Sequence, residues 1–329
     1  MKTQLDLSRW RETPRGVAAR RGAIVRGGLT ELLGTRFFRF MLAIAWSGGT
    51  LVAAFGFVFS QSVASGGWVA QLATHLGARF EAVATALSGL VLLYPDICIR
   101  GVFTVLFWLH SYLGLGLSLV ALTVIVPRLI TRDRATNALI IYLSRPLTSA
   151  DYLLGKLGII AGVLVMVWTG PLVLGWLLSV LLAPNSDFIV YSFSPLLRAL
   201  LFNGISFVVL SSVALGVSAV ARSSRTTVII WVGLWLVLAV FADTGSKPDW
   251  ARRISFSHDL SEVRLGVFQL DRALADAGSQ LPLLDRNLAD KLSRDGEKAQ
   301  ADDFGGALWS LGLFCVGSSF VFFRKLRPE

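Results

Sequence analysis

The chain has 329 residues, 54% of them hydrophobic, and a formal net charge of +10 at neutral pH. Its long apolar runs exclude a water-soluble domain, because a bilayer core about 30 Å thick is crossed by roughly 20 helical residues. Only Cys98 and Cys315 are present, one read outside and the other inside a span, which excludes a disulfide scaffold. The basic balance is accounted for by cations kept on one side of a membrane, so no nucleic-acid partner is expected.

Residues 1–40 form the first region. They open MKTQLDLSRWRETPRG, which is polar and lacks the apolar core of a cleaved signal peptide, so the first span is expected to act as the insertion signal. Val25, Leu29, Leu32, Leu33, Phe37 and Phe40 then fall on one helical stripe, with Arg26 and Arg39 away from it. Such a helix is expected in the headgroup plane, apolar side down, in contact with membrane lipid. A solvated basic tail is the alternative.

Residues 41–242 carry five spans, at about 41–60, 101–126, 157–182, 197–220 and 227–242, and a sixth follows at 306–323. With both termini cytoplasmic, each inside segment carries more Lys and Arg than Asp and Glu, while the outer segments 61–100 and 243–303 together are net acidic. The short apolar stretch 84–94 reads as an outer-face helix or a re-entrant piece. Treating it as a seventh span would reverse every later segment.

Span two carries His110, Gly114 and Ser118 at i, i+4 and i+8. An ionisable group at membrane depth is a candidate for the transport path, and small residues at this spacing also serve close helix packing. In span four Ser212 and Gly216 form a small-xxx-small pair, where packing is the stronger reading. Span five places Trp231 and Trp235 one turn apart, facing either a dimer interface or lipid. His75, His110 and His258 have no metal-ligand spacing, so no direct metal path is expected.

Residues 243–303 are read as an extracytoplasmic helical segment. Leu260, Val263, Val267, Leu270 and Leu274 follow a 3-4-3-4 spacing, and Pro282 separates them from Leu284, Leu288 and Leu292. The leucines either pack on the chain's own outer face or meet a partner. Residues 304–329 supply the last span and a basic tail.

The insert between spans two and three, RLITRDRATNALIIYLSRPLTSADYLLGKL, is strongly patterned. Asp133 can cap a helix. Ala135, Ala138, Leu139, Tyr142 and Leu143 occupy one face, while Arg134, Asn137 and Ile141 lie opposite. Pro146 disfavours helix at Arg145, ending the element near Ser144. Thr148-Ser149-Ala150-Asp151 is a capping box that starts the next helix. A rigid amphipathic rod of about 134–144 on the cytoplasmic face is expected.

This insert resembles the signature of ABC-2 type transporter permeases, the group that includes NosY-like membrane subunits of type V ABC transporters. There an acidic residue and arginine precede Gly-Thr-Leu, followed by Leu-Ser-x-Pro and by Leu-Gly-Lys entering the third span. The matching positions are Asp133-Arg134, Asn137-Ala138-Leu139, Leu143-Ser144-Arg145-Pro146 and Leu154-Gly155-Lys156. Asp133 stands where Glu is usual, and Asn137-Ala138 where Gly-Thr is usual. The resemblance covers about 100–242 and implies that 134–144 is a coupling helix docking on a separate cytoplasmic ABC ATPase, with Asp133, Arg134, Asn137, Ala138, Leu139, Tyr142, Leu143, Ser144, Arg145 and Pro146 as the coupling residues.

The resulting fold class is an all-α integral membrane protein with six transmembrane helices, an interfacial helix, a coupling helix and an outer helical segment. The expected function is the permease subunit of an ATP-driven exporter in a bacterial cytoplasmic (inner) membrane, paired with a second permease copy, a homodimer or a paralogue. The alternative is a mechanotransmitting subunit that drives an outer assembly without moving a solute. A membrane enzyme has the least support, with no ligand cluster and no H-x-x-x-x-D pattern. No G-x-x-x-x-G-K-[ST] loop is present, so this chain is expected to hold no cofactor, with ATP and Mg bound by the partner ATPase.

Overall fold

A computed structural model of the chain describes residues 16–63, 68–131, 133, 149–243, 255–280, 286–298 and 300–326, and all regular structure among them is helical. Five helical stretches are long and apolar enough to cross a membrane: Arg36–Ser62, Pro95–Thr131, Ala150–Leu181, Asp187–Val220 and Phe304–Arg324. The expected fifth span is part of a helix, Ser224–Asp243, whose apolar portion Ser224–Val237 is shorter than those five.

Helix α1 (Val17–Leu33) covers most of the stretch expected to lie in the headgroup plane, and part of its stripe packs on protein. Ile24, Val25 and Leu29 lie over Gly155, Gly158 and Gly162 of α6 (Ser149–Leu164), so closely that a Cβ on Gly158 would stand 2.5 Å from Val25 Cγ2. Glycines at this spacing form a trough that the branched side chains fill. Leu32 is buried, whereas Leu33, Phe37 and Phe40 are exposed. The stripe is therefore divided, one part on the third span and the rest facing outward. A break at Gly34 and Thr35 then starts α2 (Arg36–Val63), five residues ahead of the expected span.

Two short helices, α3 (Trp68–Leu76) and α4 (Ala78–Leu93), follow. The stretch 84–94 thus belongs to a helix that is not among the five membrane-length ones. Pro95 begins α5 (Pro95–Val126), a position where its missing N–H costs nothing.

The expected third span is helical throughout but changes its winding. After α6 comes a π turn, Val165–Thr169, and then α7 (Gly170–Leu181) with Pro171 in its first turn. The Gly170 N–H reaches back to Val165 O, a five-residue step. Pro171 cannot donate to the helix, and the wider turn accommodates the interruption. Close α2–α7 packing depends on glycine: a Cβ on Gly49 would lie 2.5 Å from Pro171 O, and one on Gly175 would lie 2.5 Å from Gly49 O.

Helix α8 (Asp187–Val220) crosses the middle of the bundle, burying Phe202, Leu210 and Ala214 completely. It is followed by α9 (Ser224–Asp243). The segment expected on the outer side then departs from expectation. The 3-4-3-4 stripe is not one helix: α10 (Phe256–Phe268) ends at Gln269, a left-handed residue at φ 50°, and α11 (Leu270–Gln280) starts next to it. No glycine marks this stop. Phe256, Leu260, Val263 and Phe268 are completely buried, so α10 is packed inside the bundle rather than laid on its outer surface. Phe256 meets Trp235 at 4.0 Å and Phe314 at 5.9 Å between ring centroids. Pro282 and Leu284 lie outside the described residues. Helix α12 (Arg286–Lys298) packs on α11, and α13 (Phe304–Leu326) closes the bundle.

Candidate functional site

Arg134, Asn137, Ala138, Leu139, Tyr142, Leu143, Ser144, Arg145 and Pro146 fall outside the described residues, as does the whole of 134–148, which includes the rod expected at about 134–144. The structure describes the two roots from which that stretch springs.

The first root ends span two. Pro127 lacks the N–H that would bond to Thr123, and the helix passes into a π turn, Pro127–Thr131. Ser218 of α8 receives it. Its hydroxyl oxygen accepts from the Ile130 N–H at 3.0 Å and from the Thr131 N–H at 3.3 Å. The Thr131 hydroxyl donates to Ser218 O at 3.0 Å and also stands 3.0 Å from the Thr227 hydroxyl of α9. All three side chains are buried. One buried polar knot therefore joins spans two and four to α9.

The second root opens span three. Asp133 Oδ2 accepts from Lys156 Nζ at 2.7 Å and from the Tyr152 hydroxyl at 2.7 Å. Tyr152 is also 3.3 Å from Leu129 O, and the Lys156 ammonium lies 5.3 Å from the Tyr152 ring centroid. Lys156 and Asp133 are nearly withdrawn from water, at 9% and 15% side-chain exposure. A carboxylate and an ammonium so placed hold one another in register, since separating them strands a charge.

Helix α1 braces both roots. Arg21 pairs with the buried Asp151, its Nε donating at 2.8 Å, and Arg128 reaches Glu31 more loosely at 3.4 Å. Between α1 and the roots lies a cavity of about 360 Å³ whose lining includes Gly28, Glu31, Arg128, Asp133 and Lys156. The contacts tie the two ends of the insert to span three through Lys156, to span four through Ser218 and to α9 through Thr227.

The other sequence candidates are not at these roots. His110, Gly114 and Ser118 are buried deeper, on the face of α5 that meets Trp168. Ser118 donates to Gly114 O at 2.6 Å, and a Cβ on Gly114 would collide with the Trp168 ring. Nearby, Asn203 Nδ2 donates to Thr169 Oγ1 at 3.3 Å, beside the π turn. Trp231 and Trp235 are buried within the chain, at 1% and 9% exposure, Trp231 beside Leu119 O and Trp235 on the Phe256 ring. Trp231 is covered by α5, and Trp235 by the buried α10.

Sequence reading took Asp133 from the insert but missed Tyr152 as a partner. Its place one turn before Lys156 was the available signal. Ser218 and Thr227 carried no signal, being ordinary small polar residues at helix ends. Arg21 and Asp151 are far apart in the chain, and nothing in either local pattern pairs them.

Residues 117–247 match a family model described as ABC-2 family transporter protein. The matched stretch begins midway through α5, runs through the insert and both its roots, and ends just after α9. No curated protein matches the chain.

Proposed function

We propose, with the ABC-2 family match of residues 117–247 as the premise, that this multi-pass membrane protein is the permease subunit of an ATP-driven exporter. The family implies association with an ABC ATPase, and the finer reading is as follows. The chain itself hydrolyses no ATP. A separate cytoplasmic subunit binds ATP and Mg, and its closure pushes residues 134–144. The motion enters the bundle at the Asp133–Lys156–Tyr152 and Thr131–Ser218–Thr227 joints and rocks spans two to four. Two permease copies then open a path between them, in a bacterial inner membrane with both termini cytoplasmic.

The observation that carries this reading is the bracing of the insert at both ends by buried polar contacts. A linker that only connects two spans has no need of them, and every buried polar group must find a partner or cost stability. The positive-inside bias supports the orientation.

The mechanotransmitting reading has one observation of its own. Helix α10 is buried among α8, α9 and α13, and Arg198 of α8 donates to Phe268 O at 3.1 Å. Motion of the spans would therefore be carried to α11 and α12. Co-reconstitution with the ATPase in liposomes separates the two readings. An exporter changes its ATPase rate with a transported solute, whereas a mechanotransmitter changes it only with an outer partner protein. ATPase activity indifferent to Leu139→Asp, with the subunit still bound, would remove the support for both.

A further inference from the structure

We infer that the groove between α8, α9 and α13 is a binding site for one anionic phospholipid, its acyl chain in the groove and its headgroup on Arg222 and Arg324. This does not depend on the proposed transport function. The groove is an open cavity of about 570 Å³ lined by apolar groups, among them Val217, Val220, Leu234, Phe256 and Val321. Val220 is 47% and Val321 37% exposed, so its mouth opens sideways.

Three observations choose the occupant. The first is length. The groove follows α13 from Ser310 to Val321, which at about 1.5 Å per residue is roughly 16 Å. That is about half of a hydrocarbon core of roughly 30 Å, the depth of one leaflet. The second is the stripe. On α13 the lining residues recur at Ser310, Phe314, Gly317 and Val321, and the next position one turn on is Arg324. On the facing side, Arg222 lies in the bend between α8 and α9, two residues after Val220. Both arginines are exposed; 216–226 contains no acidic residue, and the only one in 310–329 is the last, Glu329. An apolar slot one leaflet deep, ending in guanidinium groups, complements an acyl chain ending in a phosphate.

The third observation argues against a second copy of the chain. A twofold contact through this groove would bring Arg222 and Arg324 of both copies to the same end of the interface, where like charges repel.

The test is retention of lipid by the purified complex. The protein is placed in nanodiscs of phosphatidylcholine alone or mixed with phosphatidylglycerol, released into the gas phase, and its bound lipids are counted by native mass spectrometry. Wild type retains one phosphatidylglycerol per chain in preference to phosphatidylcholine. Arg222→Gln with Arg324→Gln lowers that preference about tenfold, from the surface attraction of two cations. Gly317→Phe abolishes retention of either lipid at this site. A side chain there has open space around its Cβ, so the variant folds with an unchanged melting temperature. Equal retention of both lipids by wild type overturns the inference, as does undiminished phosphatidylglycerol on Gly317→Phe. Conversion of a dimer to a monomer by Gly317→Phe, with lipid unchanged, assigns the groove to a second copy instead.

Discussion

Lys156 Nζ stands 2.7 Å from Asp133 Oδ2, so the residue on which span two hands over to the insert is fastened to the helix by which span three resumes. The pair closes the base of the insert like a clasp. Because both side chains are largely buried, removing one partner leaves the other charged in poor surroundings. Lys156→Met is expected to cost about 3 kcal/mol, seen as a lower melting temperature in detergent. Asp133→Asn together with Lys156→Met regains most of that loss, since no stranded charge remains. The double variant still loses ATPase stimulation, because the clasp is gone. Full stimulation by a folded double variant would count against the pair as a transmission joint.

Ser218 makes the second joint. Ser218→Ala deprives the Ile130 and Thr131 N–H groups of their shared acceptor and the Thr131 hydroxyl of one neighbour. Buried polar groups left wanting cost about 1–3 kcal/mol. Ser218→Thr, which keeps the oxygen, is expected to retain more stability than Ser218→Ala. A thermal melt of the two variants side by side checks the order.

The trough of α6 is a packing surface with a sharp size limit. Gly162→Leu meets Leu29, whose Cδ1 would be 2.8 Å from the new Cβ. Overpacking of this kind costs about 1–3 kcal/mol and is expected to lift α1 from span three. Limited proteolysis of α1 reads this directly: faster cleavage in Gly162→Leu, and unchanged cleavage in Gly116→Ala, where a Cβ meets nothing within 4 Å.

Arg264 on α10 is a buried cation whose guanidinium carbon lies 3.7 Å from the Tyr112 ring centroid and 5.4 Å from that of Phe202. With Arg264 buried and Tyr112 half exposed, a contact of this type is worth about 1 kcal/mol. Tyr112→Leu, which loses both the ring and the hydroxyl that hydrogen-bonds Arg264, is expected to lower stability more than Tyr112→Phe, which keeps the ring. Equal effects of the two in a thermal melt would mean that the ring face contributes nothing to holding Arg264.

Much of this architecture could be read from the chain. Long apolar runs located the five membrane-length helices, because a bilayer as solvent demands such runs. The helix over 84–94 and the amphipathic α1 were also legible. What escaped were contacts that only the assembled bundle creates. The stripe of α1 carries no mark saying that Val25 and Leu29 meet glycines rather than lipid. The outer segment looked water-exposed because Arg264 and Asp259 interrupt its apolar residues, yet both are buried in α10. The π turns were foreshadowed by Pro127 and Pro171, although proline alone does not say which way a helix adjusts. At the candidate site Asp133 was visible as a motif residue, while its fastening to Tyr152 and Lys156 required the third span to be in place.

Contact between Leu139 and the motor tests the central claim most directly. Leu139→Cys, in a background of Cys98→Ser and Cys315→Ser, is expressed with the co-purifying ATPase and treated with a short bifunctional thiol cross-linker. The account predicts a cross-linked species of permease and ATPase, whose yield changes when ATP and Mg are added. Labelling of the introduced thiol by an impermeant reagent from the outer face of intact cells, with no cross-link to the ATPase, would contradict it.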